Sequence, residues 1–257
     1  PDLQPESSTN FNLGAIWNPA ADITLRLDYW RFDYEDVIVA ESAQGKLNAD
    51  PNGSSINRGA TGQLAGVRTN YINASTAETD GFDVAVDWFV PTDGFGQFGV
   101  NVTATHFLSY EIPCTGSNAR GCDGAGGTED VAGFFNFDTF VRSIPETKVN
   151  GVIDWSMGDH SLALLGFYTS GYETTRTVDA RAASLGYTQD IYSWFTVNLQ
   201  YAYNFDFGDN SAVFTLGSKN VFDELPPRVY DAANFSYDPK HHDPRGRMVY
   251  GRVKVNF

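Results

Sequence analysis

Cations are scarce in this chain of 257 residues: Lys and Arg number 17 against 32 Asp and Glu, a formal net charge of −15. Nucleic acid selects basic surfaces, so this balance argues against that partner. Charged residues of both signs make up only 19% of the chain, against roughly 25% in ordinary soluble domains. Long apolar runs are missing too. The longest, LALLGFY at 162–168, is strand-length and far short of the ~20 residues a spanning helix needs, so any membrane crossing must be made by strands. Cysteine is limited to Cys114 and Cys122, with no CxxC and no His/Cys cluster of zinc type. Histidine occurs only four times.

The chain is rich in aromatics and turn formers: 13 Tyr, 19 Phe, 5 Trp and 25 Gly. About nine segments alternate apolar and polar residues with a period of two, the mark of strands with two different faces. They cover 8–18, 22–39, 69–90, 96–111, 146–157, 160–173, 193–206, 211–222 and 247–257. In the third, Phe82, Val84, Val86, Trp88 and Val90 share a face opposite Asp83, Ala85 and Asp87. In the last, Val249, Gly251, Val253, Val255 and Phe257 oppose Tyr250, Arg252, Lys254 and Asn256. Several segments reach the ~10 residues that a tilted membrane-crossing strand requires.

The connections alternate strictly between short and long. Tight Gly/Asp/Asn/Pro turns lie at 18–22, 91–96, 156–160 and 206–210, and long segments at 40–68, 112–145, 174–192 and 223–246. Loops beyond ~12–15 residues are uncommon in compact soluble domains, and four on one side of the strands fit a membrane barrel. Aromatics near strand ends (Trp17, Tyr29 and Trp30, Trp88 and Phe89, Tyr110, Trp155, Tyr168, Tyr172, Trp194) fit girdles at two lipid–water boundaries. With Phe257 at the short-turn end, the first and ninth segments run the same way. They cannot pair antiparallel with each other, so further strands are expected upstream of Pro1.

Five stretches then carry a family resemblance. PDLQPESSTNFNLGAIWNP (1–19) and ITLRLDYWRFDYEDVI (23–38) resemble consecutive elements of TonB-dependent outer-membrane receptors. AETDGFDVAVDW (77–88), GSKNVFDELPP (217–227) and YDPKHHDPRGRMVYGRVKVNF (237–257) resemble further elements of the same family, in the same order. The resemblance implies an all-β, antiparallel transmembrane β-barrel, with residues 1–257 forming one partial domain of about nine C-terminal strands out of 22. It implies active import of a scarce solute (a siderophore, cobalamin, metal chelate or oligosaccharide) across the bacterial outer membrane. Energy would come from the TonB complex through an N-terminal plug and TonB box not contained in this sequence. It also implies that terminal Phe257 is the signal read by the barrel-assembly machinery.

No catalytic constellation stands out, so an enzyme is not expected, and neither a cofactor nor a metal site is expected. His241 and His242 are neighbours in the last long loop; adjacent residues point apart on an extended chain, which makes them a poor chelate and leaves an exposed loop as the simpler reading. Cys114 and Cys122, with seven residues between them, favour a disulfide in an oxidising compartment over two free thiols. Arg68, Tyr110, Arg142, Tyr172 and Arg176 stand where long loops join strands and offer hydrogen bonds and stacking to a small-molecule substrate. The acidic loop residues Asp123, Glu129, Asp130, Asp138, Asp223 and Glu224 weigh against a strongly anionic ligand. Arg245 and Arg247 suit lipopolysaccharide phosphates at the outer rim, or a loop Asp. A passive porin-type channel and a soluble β-sandwich carbohydrate-binding module are the rival readings. The β-sandwich would bury one apolar face in a dry core.

Overall fold

Nine long strands pair antiparallel into a single sheet in the computed structural model, which describes residues 3–74, 76–114, 127–135, 143–230 and 236–257. They are β1 (Ser7–Ala20), β2 (Ile23–Glu35), β3 (Ala77–Thr92), β4 (Gly96–Pro113), β5 (Thr147–Met157), β6 (His160–Thr169), β7 (Trp194–Phe207), β8 (Asn210–Lys219) and β9 (Met248–Asn256). Each pairs with its neighbour in sequence, and β1 and β9 form the two edges without pairing to each other. The sheet is therefore an open antiparallel meander among the described residues.

The turns set the register. Met157 pairs with His160 and Phe207 with Asn210, leaving two-residue Gly-Asp loops. Gly158 (φ 56°) and Gly208 (φ 64°) hold the left-handed conformation at the first loop position, as a hairpin matched to strand twist requires. Both turns, and those after β1 and β3, lie at one end of the sheet. The four long connections lie at the other.

Direct pairing shows which residues share a face. Leu13, Leu27, Val84, Ala104, Val149 and Leu164 belong to one, and so do Tyr201, Phe214 and Val253 on the later strands. This face stays open to the surroundings. Leu13 is 66% exposed, Leu216 63% and Val253 61%, so it packs against no second layer. Among the described residues this apolar face of nine strands packs against no second layer, unlike the dry core of a β-sandwich.

The opposite face carries Asp83, Asp87, Asn101, Asn150, Arg252 and Lys254, as the alternation requires. Arg26 pairs with Asp87, which also accepts from Asn101 Nδ2 at 2.6 Å, and Thr105 Oγ1 donates to Asp83 at 2.6 Å. The aromatics divide differently from the girdle reading. Trp17, Tyr29, Trp88, Trp155 and Tyr168 lie on the apolar face, whereas Trp30, Phe89, Tyr110 and Trp194 lie on the polar one. Adjacent residues on a strand cannot both point outward, which splits the Tyr29–Trp30 and Trp88–Phe89 pairs.

The ordered core sits in the long connections. Residues Ile38–Ala40 and Tyr71–Asn73, at the ends of the second and third sequence segments, leave the main sheet and pair with each other. The break follows Asp36, which adopts φ 55°. Between them runs the helix Ala43–Ala49, capped by Ser42 Oγ, which accepts from Gly45 N at 3.0 Å. Phe134–Phe135, Ser143–Ile144, Tyr172–Thr174 and Asp190–Ile191 form a separate four-stranded sheet drawn from two long connections. Phe135, Tyr172, Ile191 and Val229 bury their side chains together there. Burying side chains of this size stabilises that small sheet by ~2 kcal/mol each.

The family-like GSKNVFDELPP and DPRGR stretches lock each other. Asn220, at φ 47°, donates from Nδ2 to Glu224 O at 2.8 Å and accepts from Glu224 N at 2.9 Å. The turn it closes presents the Asp223 carboxylate, which accepts from Arg247 N at 2.7 Å. Gly246 must lack a side chain here, because a Cβ would stand 2.7 Å from Asp223 Oδ1. The descent into β9 is thus set by a contact across 24 residues of sequence.

Candidate functional site

The polar face opens at the long-loop end into a cavity of about 350 Å³. Its wall comes from polar-face positions of β5 to β9, including Lys148, Asn150, Trp194, Thr196, Asn198 and Lys219. Its rim is the strap 236–247, which contributes His241, Asp243 and Arg245. Among the described lining residues Asp243 is the only acid, and Arg245 already holds it through Nε at 2.8 Å and Nη2 at 2.5 Å. That pairing keeps the Asp243 carboxyl below the usual carboxylate range. Arg245 therefore makes the loop-Asp pairing. Lys148 and Lys219 add two further cations, so the described lining carries three cations to one acid although the chain is acidic, with Asp238 acting on Lys148 and Asp243 on Lys219. Of the acidic loop residues read from the sequence, Glu129, Asp130, Asp223 and Glu224 do not line this cavity, and charge within a site follows which residues converge, not the average over a loop.

The strap is held by a buried latch. The Tyr172 hydroxyl donates to Asp238 Oδ2 at 2.8 Å, and burial followed by the nearby carboxylate pushes the phenol up, so it stays a donor. The Asp238 carbonyl accepts from His241 N at 3.3 Å and His242 N at 3.1 Å, forming the turn. His241 Nε2 lies 3.1 Å from Ser143 O, and its Nδ1 lies 2.8 Å from Lys148 Nζ. A neutral imidazole protonated at Nε2 satisfies both contacts. Burial and the Lys148 cation hold the His241 pKa down, against the raising influence of the Ser143 carbonyl.

His242 is buried, not exposed as its loop position suggested. Its ring stacks on Tyr172 with an 8° interplanar angle and meets Trp194 edge-on at 5.2 Å. Neither ring nitrogen has a hydrogen-bond partner, and burial lowers its pKa to about 4. Among the described residues, no group of three or more His, Cys, Asp or Glu is placed to hold a metal ion.

The residues singled out from sequence do not form one site. Tyr172 belongs to the latch, not the cavity wall. Arg176 lies over the Tyr230 ring at 5.2 Å, next to Tyr187 and Arg228 in a stack joining two long connections. Arg68 is exposed in the first long connection. Tyr110 sits on the polar face opposite Thr79, within a row of aromatics. Arg142 lies outside the described residues, as do Asp123 and Asp138. The Cys114 sulfur is bonded, and Cys122 lies outside the described residues. Phe257 follows β9 in the apolar phase and is 99% exposed. Lys148, Lys219 and His241 were missed as site residues. The available signal was a lysine in the polar phase at the long-loop end of a strand.

A family model described as TonB dependent receptor-like, beta-barrel matches residues 1–221. Among solved structures, a mutant ferric enterobactin receptor from Pseudomonas aeruginosa in complex with enterobactin is similar at 16% identity and TM-score 0.61, over 98% of this chain and 32% of that one. The siderophore receptor PirA from Acinetobacter baumannii is similar at 17% identity and TM-score 0.59, with the same coverages. The FrpB iron transporter from Neisseria meningitidis (F3-3 variant) is similar at 10% identity and TM-score 0.54, over 99% of this chain and 32% of that one. The chain spans about a third of the length of these structures. At these identities the likeness concerns the fold. Comparison with curated proteins finds no match.

Proposed function

Because this chain belongs to the TonB-dependent receptor β-barrel family, we propose that its sheet is one sector of an outer-membrane barrel whose cationic cavity takes an anionic small molecule for active import. The apolar face lies in hydrocarbon and the polar face lines the lumen. Residues 1–257 act as one partial barrel domain. Strands from the rest of the protein pair with the β1 and β9 edges, because lipid offers no hydrogen-bond partner to an open edge. A plug fills the lumen and couples to the TonB complex. Lipopolysaccharide surrounds the long-loop rim.

One observation carries the ligand's charge: Lys148, Lys219 and Arg245 line a cavity in which Asp243 is the only acid among the described lining residues. An anionic metal chelate such as a ferric siderophore fits that charge. The reading is transport, not catalysis. Its test is uptake of radiolabelled ferric chelates by cells carrying the full-length receptor. Collapse of the proton-motive force is expected to abolish uptake, and Lys148→Met with Lys219→Met to lower it several-fold. Uptake that persists without the proton-motive force would instead fit a passive channel.

A further inference from the structure

We propose that the apolar face carries a phospholipid headgroup site at its short-turn end, where His160 and Tyr203 donate hydrogen bonds to the lipid phosphate. The inference rests on the reading that this face lies in hydrocarbon. It concerns the side turned away from the lumen, which a plug does not cover. Charged residues on the apolar face gather at the long-loop end, where Arg31, Asp33, Glu78 and Asp80 continue the phase of Tyr29 and Phe82. Among the described strand residues, His160 is the one histidine or charged side chain of this face at the short-turn end. A polar, ionisable group held against lipid costs free energy unless a partner there satisfies it, so it points to a site.

The register places its neighbours. His160 opens β6 opposite Met157 on β5 and Tyr203 on β7, and Leu162, next along the face, stands between Trp155 and Tyr201. His160 Nδ1 lies 2.6 Å from the Tyr201 hydroxyl, and the His160 and Tyr203 ring centroids are 5.0 Å apart. With Nδ1 accepting from Tyr201, the ring proton sits on Nε2. Neither Nε2 nor the Tyr203 hydroxyl has a hydrogen-bond partner among the described residues. Trp155 is already engaged, its Nε1 donating to Phe95 O at 2.6 Å. Two donors are therefore left at the boundary where aromatic residues meet headgroups, and a phosphate oxygen is the strong acceptor of that layer. Leu162 and Leu164 continue the column into the hydrocarbon and are exposed to an acyl chain. Asp159, the turn residue beside His160, adds a negative charge that disfavours a second anion and favours an ammonium. The headgroup that fits is zwitterionic, a phosphate linked to an amine.

The test uses the detergent-solubilised full-length receptor and native mass spectrometry. Phosphatidylethanolamine, phosphatidylglycerol and diacylglycerol with the same acyl chains are titrated in turn. Phosphatidylethanolamine is expected to bind about ten-fold more tightly than diacylglycerol, which lacks the phosphate, and more tightly than phosphatidylglycerol. His160→Leu and Tyr203→Phe are each expected to weaken it about five- to ten-fold while leaving diacylglycerol within about two-fold. Tyr203→Phe removes a single oxygen and keeps the test open if His160→Leu assembles poorly. Phe205→Leu, two residues farther along the same face, is expected to change nothing. Diacylglycerol binding as tightly as phosphatidylethanolamine, unchanged binding in both donor variants, or an equal loss in Phe205→Leu overturns the site, and phosphatidylglycerol as the better ligand overturns the zwitterionic assignment. A receptor that stays monodisperse in buffer without detergent would instead refute the hydrocarbon reading on which the site rests.

Discussion

Acidification should release the strap 236–247 from the cavity rim, and His242 supplies most of the effect. Its imidazole, 5% exposed, has both nitrogens without partners, and burial lowers its pKa from 6.5 to about 4. Once the strap opens, the ring regains water and titrates near its ordinary value. The open form therefore binds the proton more readily. Strap closure is at full strength above the open-state pKa and weakens as pH falls through 6.5 toward about 4. Each pH unit in that window costs about 1.4 kcal/mol, so the whole shift corresponds to about 3 kcal/mol. At about pH 5 the loss is about 2 kcal/mol, a roughly thirty-fold rise in the open population.

The groups facing His242 are Tyr172, Trp194 and the strap's own Asp238, whose carboxylate opposes part of the lowering, with Lys148 and His241 adding to it. His241 shifts in the same direction and leaves a smaller residual response. The assay is hydrogen exchange at the His241 and His242 amides, which donate to Asp238 O, expressed as protection factors at neutral and acid pH. His242→Phe keeps an aromatic ring between Tyr172 and Trp194 but cannot take a proton, and it should remove most of the pH response. Unchanged protection in the native protein, or an equal acid response in His242→Phe, would refute the reasoning.

The remaining predictions address the faces, the turns and the cysteines. Leu216→Arg, on the apolar face, should destabilise the membrane-embedded protein by ~2–4 kcal/mol, whereas Thr103→Arg, opposite Ala85 and Asn150 on the polar face, should cost far less; denaturant titration in lipid vesicles separates them. Arg252→Cys should react with a water-soluble maleimide much faster than Val253→Cys, and equal rates would contradict the assigned faces. Asn220→Ala removes both side-chain bonds to Glu224 and should cost roughly 1–3 kcal/mol, read as a lower unfolding midpoint. Thiol titration of the unfolded, unreduced protein should find neither Cys114 nor Cys122 free, and reduction should loosen that connection by roughly 2–3 kcal/mol.

Much of the architecture was legible along the chain because its signals are local. Alternation over Phe82–Val90 tells which side chains share a face whatever the strand pairs with, and a Gly-Asp turn such as 158–159 needs only its own φ values. The nine strands, the four short turns and the antiparallel order follow from those two kinds of information. Strand ends were less legible. Residues 38–40 and 71–73 continue the alternation of the strands beside them, yet they pair with each other in a separate two-stranded sheet. Propensity does not choose between two available partners.

The site was hardly legible at all. Tyr172 and Asp238 lie 66 residues apart, and nothing near either marks the other as its partner. Lys148, Lys219, His241 and Arg245 come from strand ends and a strap, and they form a cationic cavity only because register and loop return bring them to one end of one face. The sequence by itself determined a sheet with one side for hydrocarbon and one for water, since a period of two is a property of neighbouring residues. Only the tertiary structure decided that Lys148, Lys219 and Arg245 meet at one cavity of an acidic chain and that the strap buries its own His242 against Tyr172 and Trp194. Electrostatics and burial depend on distance through space, which pairing sets and sequence separation does not.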